Sequence, residues 1–267
     1  MSEMPGGSVA GTSARTKSAE EEIWPEPSSR GGAGGKGKII VAAVAAVVLV
    51  VAAAVAWFVL GSGDGDKGAA SPTSGHVPDA YVPQSPGQNA GKVASRKTDI
   101  RPFTEGELFD AMKQVKYRSY TFELKGAEVT DDCASAVWGQ LLVETLERGD
   151  CTQAARGAYL SKDGKGAGIF AAFNMADQRA AQQVLNALDP ELKGGFVRPL
   201  PIDGVTDFGS GFTAAYTQAI GHYVIMSWVG RSDGSPPEAM NELIDTSLAV
   251  QKPEEFAWGR IVLLDPR

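Results

Sequence analysis

The sequence has few of the side chains on which most metal proteins and many enzymes depend. Its 267 residues include only two histidines and two cysteines. Two cysteines without nearby histidines cannot supply the four ligands of a structural zinc site. His76 lies in a stretch of low complexity, and His222 follows Gly221 at a place that fits a two-residue hairpin turn. We therefore predict no metal site, no cofactor site and no catalytic residue.

Motifs of the common enzyme classes are also missing. No serine occupies a G-x-S-x-G motif, and GGAGGKGK lacks the spacing and the final Ser or Thr of a phosphate-binding loop. A net charge of −7, without interleaved aromatic and basic side chains, argues against nucleic-acid binding. The material left for an enzyme is a set of carboxylates, namely Asp131, Asp132, Glu144 and Asp207. Two of them in one cleft would indicate a carboxylate-dependent hydrolase of the cell envelope.

One long hydrophobic run stands out against this background. Residues 39–60 read IIVAAVAAVVLVVAAAVAWFVL and contain no charged side chain. At about 1.5 Å per residue, the run is long enough to cross the hydrocarbon core of a bilayer. It is also longer than the apolar region of a cleaved signal peptide. We predict a single transmembrane helix, an uncleaved signal anchor that contacts lipid through residues 39–60.

The charges beside this run predict its orientation. Three basic residues shortly precede the run, whereas only Lys67 follows it closely. Lys and Arg near the ends of a transmembrane helix favour the cytoplasmic side. We therefore expect residues 1–38 in the cytoplasm and residues 61–267 outside the cell membrane.

The stretches on either side of the run contain few apolar side chains that a core could bury. Residues 1–38 and 61–103 are rich in Gly, Ser and Pro, and we predict that both are disordered. The second would then be a linker that holds a domain away from the membrane. Within the first, Ile23 and Trp24 stand in the acidic segment EEEIWPEP and are a candidate docking motif for a cytoplasmic partner. An incidental tryptophan in a solvated tail is the alternative.

The pattern from residue 104 to residue 267 is that of one globular domain. Candidate elements follow the order helix, hairpin, helix, hairpin, helix, with tight turns at Asp163-Gly164 and Gly221-His222. Strands joined by tight turns are antiparallel. We predict an α+β fold in which helices pack on one face of an antiparallel sheet of hairpins, with a ferredoxin-like arrangement as one candidate.

Cys133 and Cys151 bracket a stretch that reads as one helix, CASAVWGQLLVETLERGDC. Two cysteines in a small domain outside the cytoplasm are usually paired. A disulfide needs Cα atoms within about 7 Å, whereas a straight helix between the two would hold its ends more than about 20 Å apart. A disulfide therefore requires a break, which we expect near Trp138-Gly139, because glycine lowers helix stability. Two free buried thiols, or bonds to a second chain, are the alternatives.

Three segments carry a recognisable pattern: TDDCASAVWGQ, GDCTQAARGAYLSKDGKGAGIFAAFNMAD and GHYVIMSWV. One cysteine precedes Ala-Val-Trp-Gly, and a second is followed by Thr-Gln. With the tail and the apolar run, these features resemble a group of uncharacterised actinobacterial single-pass membrane proteins. The resemblance implies a disulfide-bearing domain outside the membrane and supplies no activity, ligand or catalytic residue.

Together these observations predict a membrane-tethered, non-enzymatic domain that binds an envelope component or another protein. A carboxylate-dependent hydrolase is one alternative. A transmembrane sensor that signals through the N-terminal tail is the other.

Overall fold

The computed structural model describes residues 75–85 and 88–264. The tail with Ile23 and Trp24, the apolar run 39–60 and residues 61–74 lie outside the described residues. The membrane anchor, its orientation and the docking motif therefore stay predictions. Within the two described ranges, no helix is both long enough and apolar enough to cross a membrane.

A seven-stranded sheet forms the centre of the domain. Its strands are β1 (Ala80–Pro83), β2 (Gln114–Tyr117), β3 (Tyr120–Thr130), β5 (Gln153–Ser161), β6 (Gly166–Asn174), β8 (Thr213–Ile220) and β9 (Tyr223–Arg231). They are arranged in the order β1-β8-β9-β6-β5-β3-β2, and neighbouring strands are antiparallel apart from the parallel pair of β1 with β8. Two short strands, β4 (Val137–Trp138) and β7 (Phe196–Val197), pair separately.

The two expected hairpins are present. Strands β8 and β9 are joined by Gly221-His222 alone, and Gly221 has the positive φ of 59° that such a turn requires. Strands β5 and β6 are joined by residues 162–165, a loop that contains Asp163-Gly164. The turn residues therefore predicted both connections correctly.

Helices cover both faces of the sheet, so the expectation of one covered face is wrong. In the described ranges, the five α-helices are α1 (Glu105–Phe109), α2 (Gln140–Arg148), α3 (Gln178–Ala187), α4 (Met240–Val250) and α5 (Glu255–Leu263). Helices α2 and α3 contribute to one apolar cluster, and α1, α4 and α5 to a second one. In the central strand β6, Ile169 belongs to the first cluster and Phe170 to the second. Consecutive apolar residues in a strand point to opposite faces, so each face needs its own cover. The sheet also has more strands than the ferredoxin-like candidate.

The folded domain begins earlier than the sequence predicts. Residues 80–83 form strand β1 at the edge of the sheet, and a 3-10 helix follows at Gln88–Val93. Val93 is fully buried, and Asp99 is 2 % exposed. The expected boundary at residue 104 is therefore too late, because few but deeply buried side chains tie residues 75–103 to the domain.

Candidate functional site

The two cysteines form a disulfide. Cys133 and Cys151 are joined with their Cα atoms 6.3 Å apart. The chain between them is not one helix: a 3-10 helix spans Cys133–Ala136, β4 follows, and α2 starts only at Gln140. The predicted pairing and the predicted break at Trp138-Gly139 are both confirmed.

Close contact between two backbone segments explains the break. Gly139 has a φ of 95°, in the region that favours glycine. A Cβ at this position would collide with the backbone of Gly194 and Gly195. The Gly194 carbonyl in turn accepts a hydrogen bond of 3.0 Å from the Leu142 amide, in the first turn of α2. The 194–195 segment thus both interrupts and caps the helix.

A groove of about 810 Å³ runs along this disulfide-bonded segment. It is bordered by the 3-10 helix, by β4 and by one side of α2. Its polar and aromatic lining includes Asp132, Trp138, Gln140, Glu144, Glu147 and Arg198. We call this cavity the acidic groove, because carboxylates outnumber cationic groups in its lining.

A second pocket of about 450 Å³ adjoins the acidic groove and shares Trp138 and Arg198 with it. Its apolar lining consists of Pro199, Leu200, Pro201, Ile202, Val205 and Phe208. We call it the apolar pocket. Gly75 and His76 border it as well, and Gly75 lies so close to Trp138 that any Cβ there would collide with the indole ring.

Arg198 is fixed between the two cavities. Its Nε donates a hydrogen bond of 2.6 Å to the Val137 carbonyl, and its own carbonyl accepts one of 2.8 Å from Arg156 Nη1. Arg156 is also paired with Glu128. Among the described residues, the two terminal nitrogens of Arg198 make no hydrogen bond.

The structure brings only some of the candidate carboxylates together. Asp132 and Glu144 line the acidic groove, and Asp207 lines the apolar pocket, whereas Asp131 lines neither cavity. Glu147, which the sequence interpretation missed, is also in the acidic groove. Its spacing of three residues from Glu144 on a helix was the available signal.

Each of the three candidate carboxylates in these cavities has a local partner. Asp132 Oδ1 accepts hydrogen bonds of 3.1 and 3.3 Å from the amides of Ala134 and Ser135, which start the 3-10 helix. Glu144 accepts one of 2.9 Å from Gln140. Asp207 Oδ1 lies 2.7 Å from His76 Nε2. Asp132 therefore has a structural role as a helix cap.

His222 occupies the predicted hairpin turn between β8 and β9, but it does not face solvent there. The side chain is fully buried, and its Nδ1–H donates a hydrogen bond of 2.7 Å to the Val93 carbonyl. Burial lowers its pKa to about 4, although the hydrogen bond to Val93 opposes the shift. Its Nε2 is also buried and has no hydrogen-bond partner among the described residues. His222 therefore packs inside the domain and does not line either cavity.

Within residues 75–85 and 88–264, no group of three His, Cys, Asp or Glu side chains is placed to hold a metal ion. Comparison of the chain with protein-family models, with curated proteins and with solved structures finds no match. The two adjoining cavities are therefore the features from which a function can be inferred.

Proposed function

We propose that residues 75–264 form a non-enzymatic binding domain outside the cell membrane, tethered by residues 39–60. The acidic groove and the apolar pocket together are its ligand site. A disulfide in the folded domain is consistent with an oxidising compartment, because such bonds are rare in the cytoplasm. The sequence motifs and the apolar run support the same location.

One observation carries the assignment of the site: both cavities share a half-buried tryptophan, Trp138, and an arginine, Arg198. Ligand sites typically combine apolar and aromatic walls with a few fixed polar groups. Trp138 supplies the aromatic wall, and Arg198 supplies a donor group that its Nε–H hydrogen bond to the Val137 carbonyl holds in place. The disulfide and the 194–195 segment make the surrounding chain rigid, which lowers the entropy lost on binding.

Site-specific photo-cross-linking tests this proposal in the full chain in its native membrane. A photoreactive residue in place of Gln140, at the acidic groove, should yield a discrete cross-linked product. The same residue in place of Glu105, exposed on the opposite side of the sheet, serves as the matched control. Equal products at both positions, or none at Gln140, would contradict a ligand site in this groove.

A carboxylate-dependent hydrolase is the second candidate, since Asp132 and Glu144 line the same groove. Under this alternative, Glu144→Gln should abolish turnover of an envelope polymer while leaving its binding intact. Under the binding proposal, the purified full chain releases no product from isolated envelope material, with or without the substitution. Signalling through the Trp24 tail would be an additional output of either function.

A further inference from the structure

We infer that the ligand of this site is a polypeptide segment that combines Lys or Arg with apolar residues. The inference rests on the proposed function and adds the chemical class of the ligand. The basic side chains would occupy the acidic groove, and the apolar residues would occupy the neighbouring pocket. Trp138 and Arg198 lie where the two parts of the segment meet.

Charge complementarity identifies the basic part. Asp132, Glu144 and Glu147 line the acidic groove, and Arg198 is its cationic lining residue. Glu147 is exposed and makes no side-chain hydrogen bond or ion pair within the described residues. An incoming ammonium or guanidinium group would gain favourable interactions with these carboxylates, whereas an acidic ligand would be repelled.

Trp138 adds an attraction of its own for a cation. The electron-rich face of an indole attracts ammonium and guanidinium groups more strongly than other aromatic rings do. Trp138 is partly exposed and lies two residues before Gln140, the first residue of α2. Both residues line the acidic groove. A Lys or Arg side chain in the groove can therefore contact both carboxylates and the ring.

The apolar pocket and Arg198 define the rest of the segment. Pro199, Pro201 and Phe208 present a wall that has few hydrogen-bonding groups and suits aliphatic side chains. The guanidinium of Arg198 carries terminal N–H groups that can donate to backbone carbonyls of the ligand. A polypeptide supplies cationic, apolar and carbonyl groups in one chain, which a simple polyamine or an anionic polymer does not.

Fluorine NMR of the full chain, labelled with 5-fluorotryptophan in detergent, tests the inference. The chain has five tryptophans, and Trp138→Phe identifies the resonance of Trp138. The probes are three short peptides of the same Leu/Pro frame, which carry Lys, Glu or Gln at the variable positions. We expect the Lys peptide to move the Trp138 resonance and to leave that of Trp258, on the other face of the sheet, in place.

Charge variants then test the groove itself. The double variant Glu144→Gln/Glu147→Gln should bind the Lys peptide about threefold to tenfold more weakly at low salt, and added salt should reduce this difference. Glu105→Gln, which removes an exposed carboxylate on the opposite side of the sheet, should leave the affinity unchanged. Thermal unfolding of each variant confirms that the fold is retained.

The outcomes separate the ligand class from the site. If the Glu or Gln peptide moves the Trp138 resonance as strongly as the Lys peptide, or if the double variant binds with unchanged affinity, the basic ligand is wrong and the binding site stands. If no peptide moves that resonance, the inference fails. The proposed function fails with it when the cross-linker at position 140 also captures nothing, or captures no more than the one at position 105.

Discussion

Arg260 is a charged side chain that lies inside the domain, with 1 % of its surface exposed. Its guanidinium lies 5.4–5.7 Å from the ring centroids of Phe103, Tyr223 and Phe256. It donates a hydrogen bond of 2.7 Å to the Tyr223 hydroxyl and is paired with Glu107. These contacts attach α5 both to α1 and to the sheet.

Arg260 and the groups that contact it form a buried charge cluster, and Asp99 is the second buried charge in this cluster. Burial acts to raise its pKa, but hydrogen bonds from Arg101 and Tyr223 and the charge of Arg260 outweigh burial, so the pKa lies below its ordinary value. Arg101 Nε is 2.7 Å from Asp99 Oδ1, and the Tyr223 hydroxyl is 2.8 Å from Oδ2. The cluster is stable because every charge in it is compensated.

Removing one partner of this cluster should be costly. We predict that Arg260→Met lowers the free energy of unfolding by about 3–5 kcal/mol, because Asp99 then remains buried with fewer partners. The matched control is Arg118→Met, which removes an arginine whose side chain is 66 % exposed, and which should cost less than about 1 kcal/mol. Urea denaturation of the full chain measures both values. Similar losses of unfolding free energy for the two variants would contradict the assignment of Arg260 to a buried charge cluster.

His222 makes stability depend on pH in a defined direction. Its folded pKa of about 4 lies below the value of about 6.5 in an unfolded chain. Between these values the unfolded chain binds a proton that the folded protein does not. The free energy of unfolding should therefore fall as the pH drops from about 6.5 to about 4, by up to about 3 kcal/mol.

His222→Asn tests this dependence, because asparagine keeps a donor for the Val93 carbonyl and does not titrate. The stability difference between the parent and this variant should shrink steadily as the pH falls from about 6.5 to about 4. Denaturation curves over this pH range measure the difference. The contributions of the other titrating groups are the same in both proteins and cancel. A difference that is constant with pH would show that His222 is not buried in its neutral form.

At the scale of elements, the break before α2 depends on Gly139. We predict that Gly139→Ala lowers the free energy of unfolding by more than Gly164→Ala does. Both glycines have a positive φ, of 95° and 73°, which costs another residue about 1–2 kcal/mol. Only at Gly139 would the new methyl group also collide with the 194–195 backbone. Equal losses in thermal and urea unfolding would mean that this close contact is absent.

Elements whose cause is local could be predicted from the sequence. Thr104 caps α1 through a hydrogen bond of 3.2 Å from the Glu107 amide, and a Thr three residues before a Glu is a local signature of such a cap. The break near Gly139 followed from a distance limit on the disulfide. The burial of His222 could not be predicted, because its partner Val93 lies 129 residues away. The acidic groove and the apolar pocket likewise depend on Trp138 and Arg198, which the pairing of β4 with β7 brings together.

At the scale of the whole molecule, residues 75–103 are part of the folded domain. We predict that a chain starting at Gly75 unfolds cooperatively, whereas a chain starting at Thr104 does not. The shorter chain lacks β1, the buried Val93 and the buried Asp99, so that Arg260 loses a partner. Urea unfolding followed by tryptophan fluorescence compares the two. A cooperative transition of equal midpoint in both chains would contradict this boundary.

The composition of this region misled the sequence prediction for a physical reason. Gly, Ser and Pro are typical of linkers, but an edge strand needs little more than backbone hydrogen bonds, and Pro83 is tolerated at the end of one. The class of the fold was accessible from the hairpins. The strand order and the second helical layer were not, because they depend on contacts between distant residues.

We propose that the acidic groove lies outside the membrane, where an envelope ligand can reach it. Both native cysteines are in the disulfide, so an introduced cysteine supplies the free thiol that a maleimide can label. We predict that Gln140→Cys, in the groove, reacts with a membrane-impermeant maleimide in intact cells, whereas Ser18→Cys, in the N-terminal tail, reacts only after permeabilisation. Labelling of Ser18→Cys in intact cells, with Gln140→Cys protected until the membrane is opened, would contradict the account.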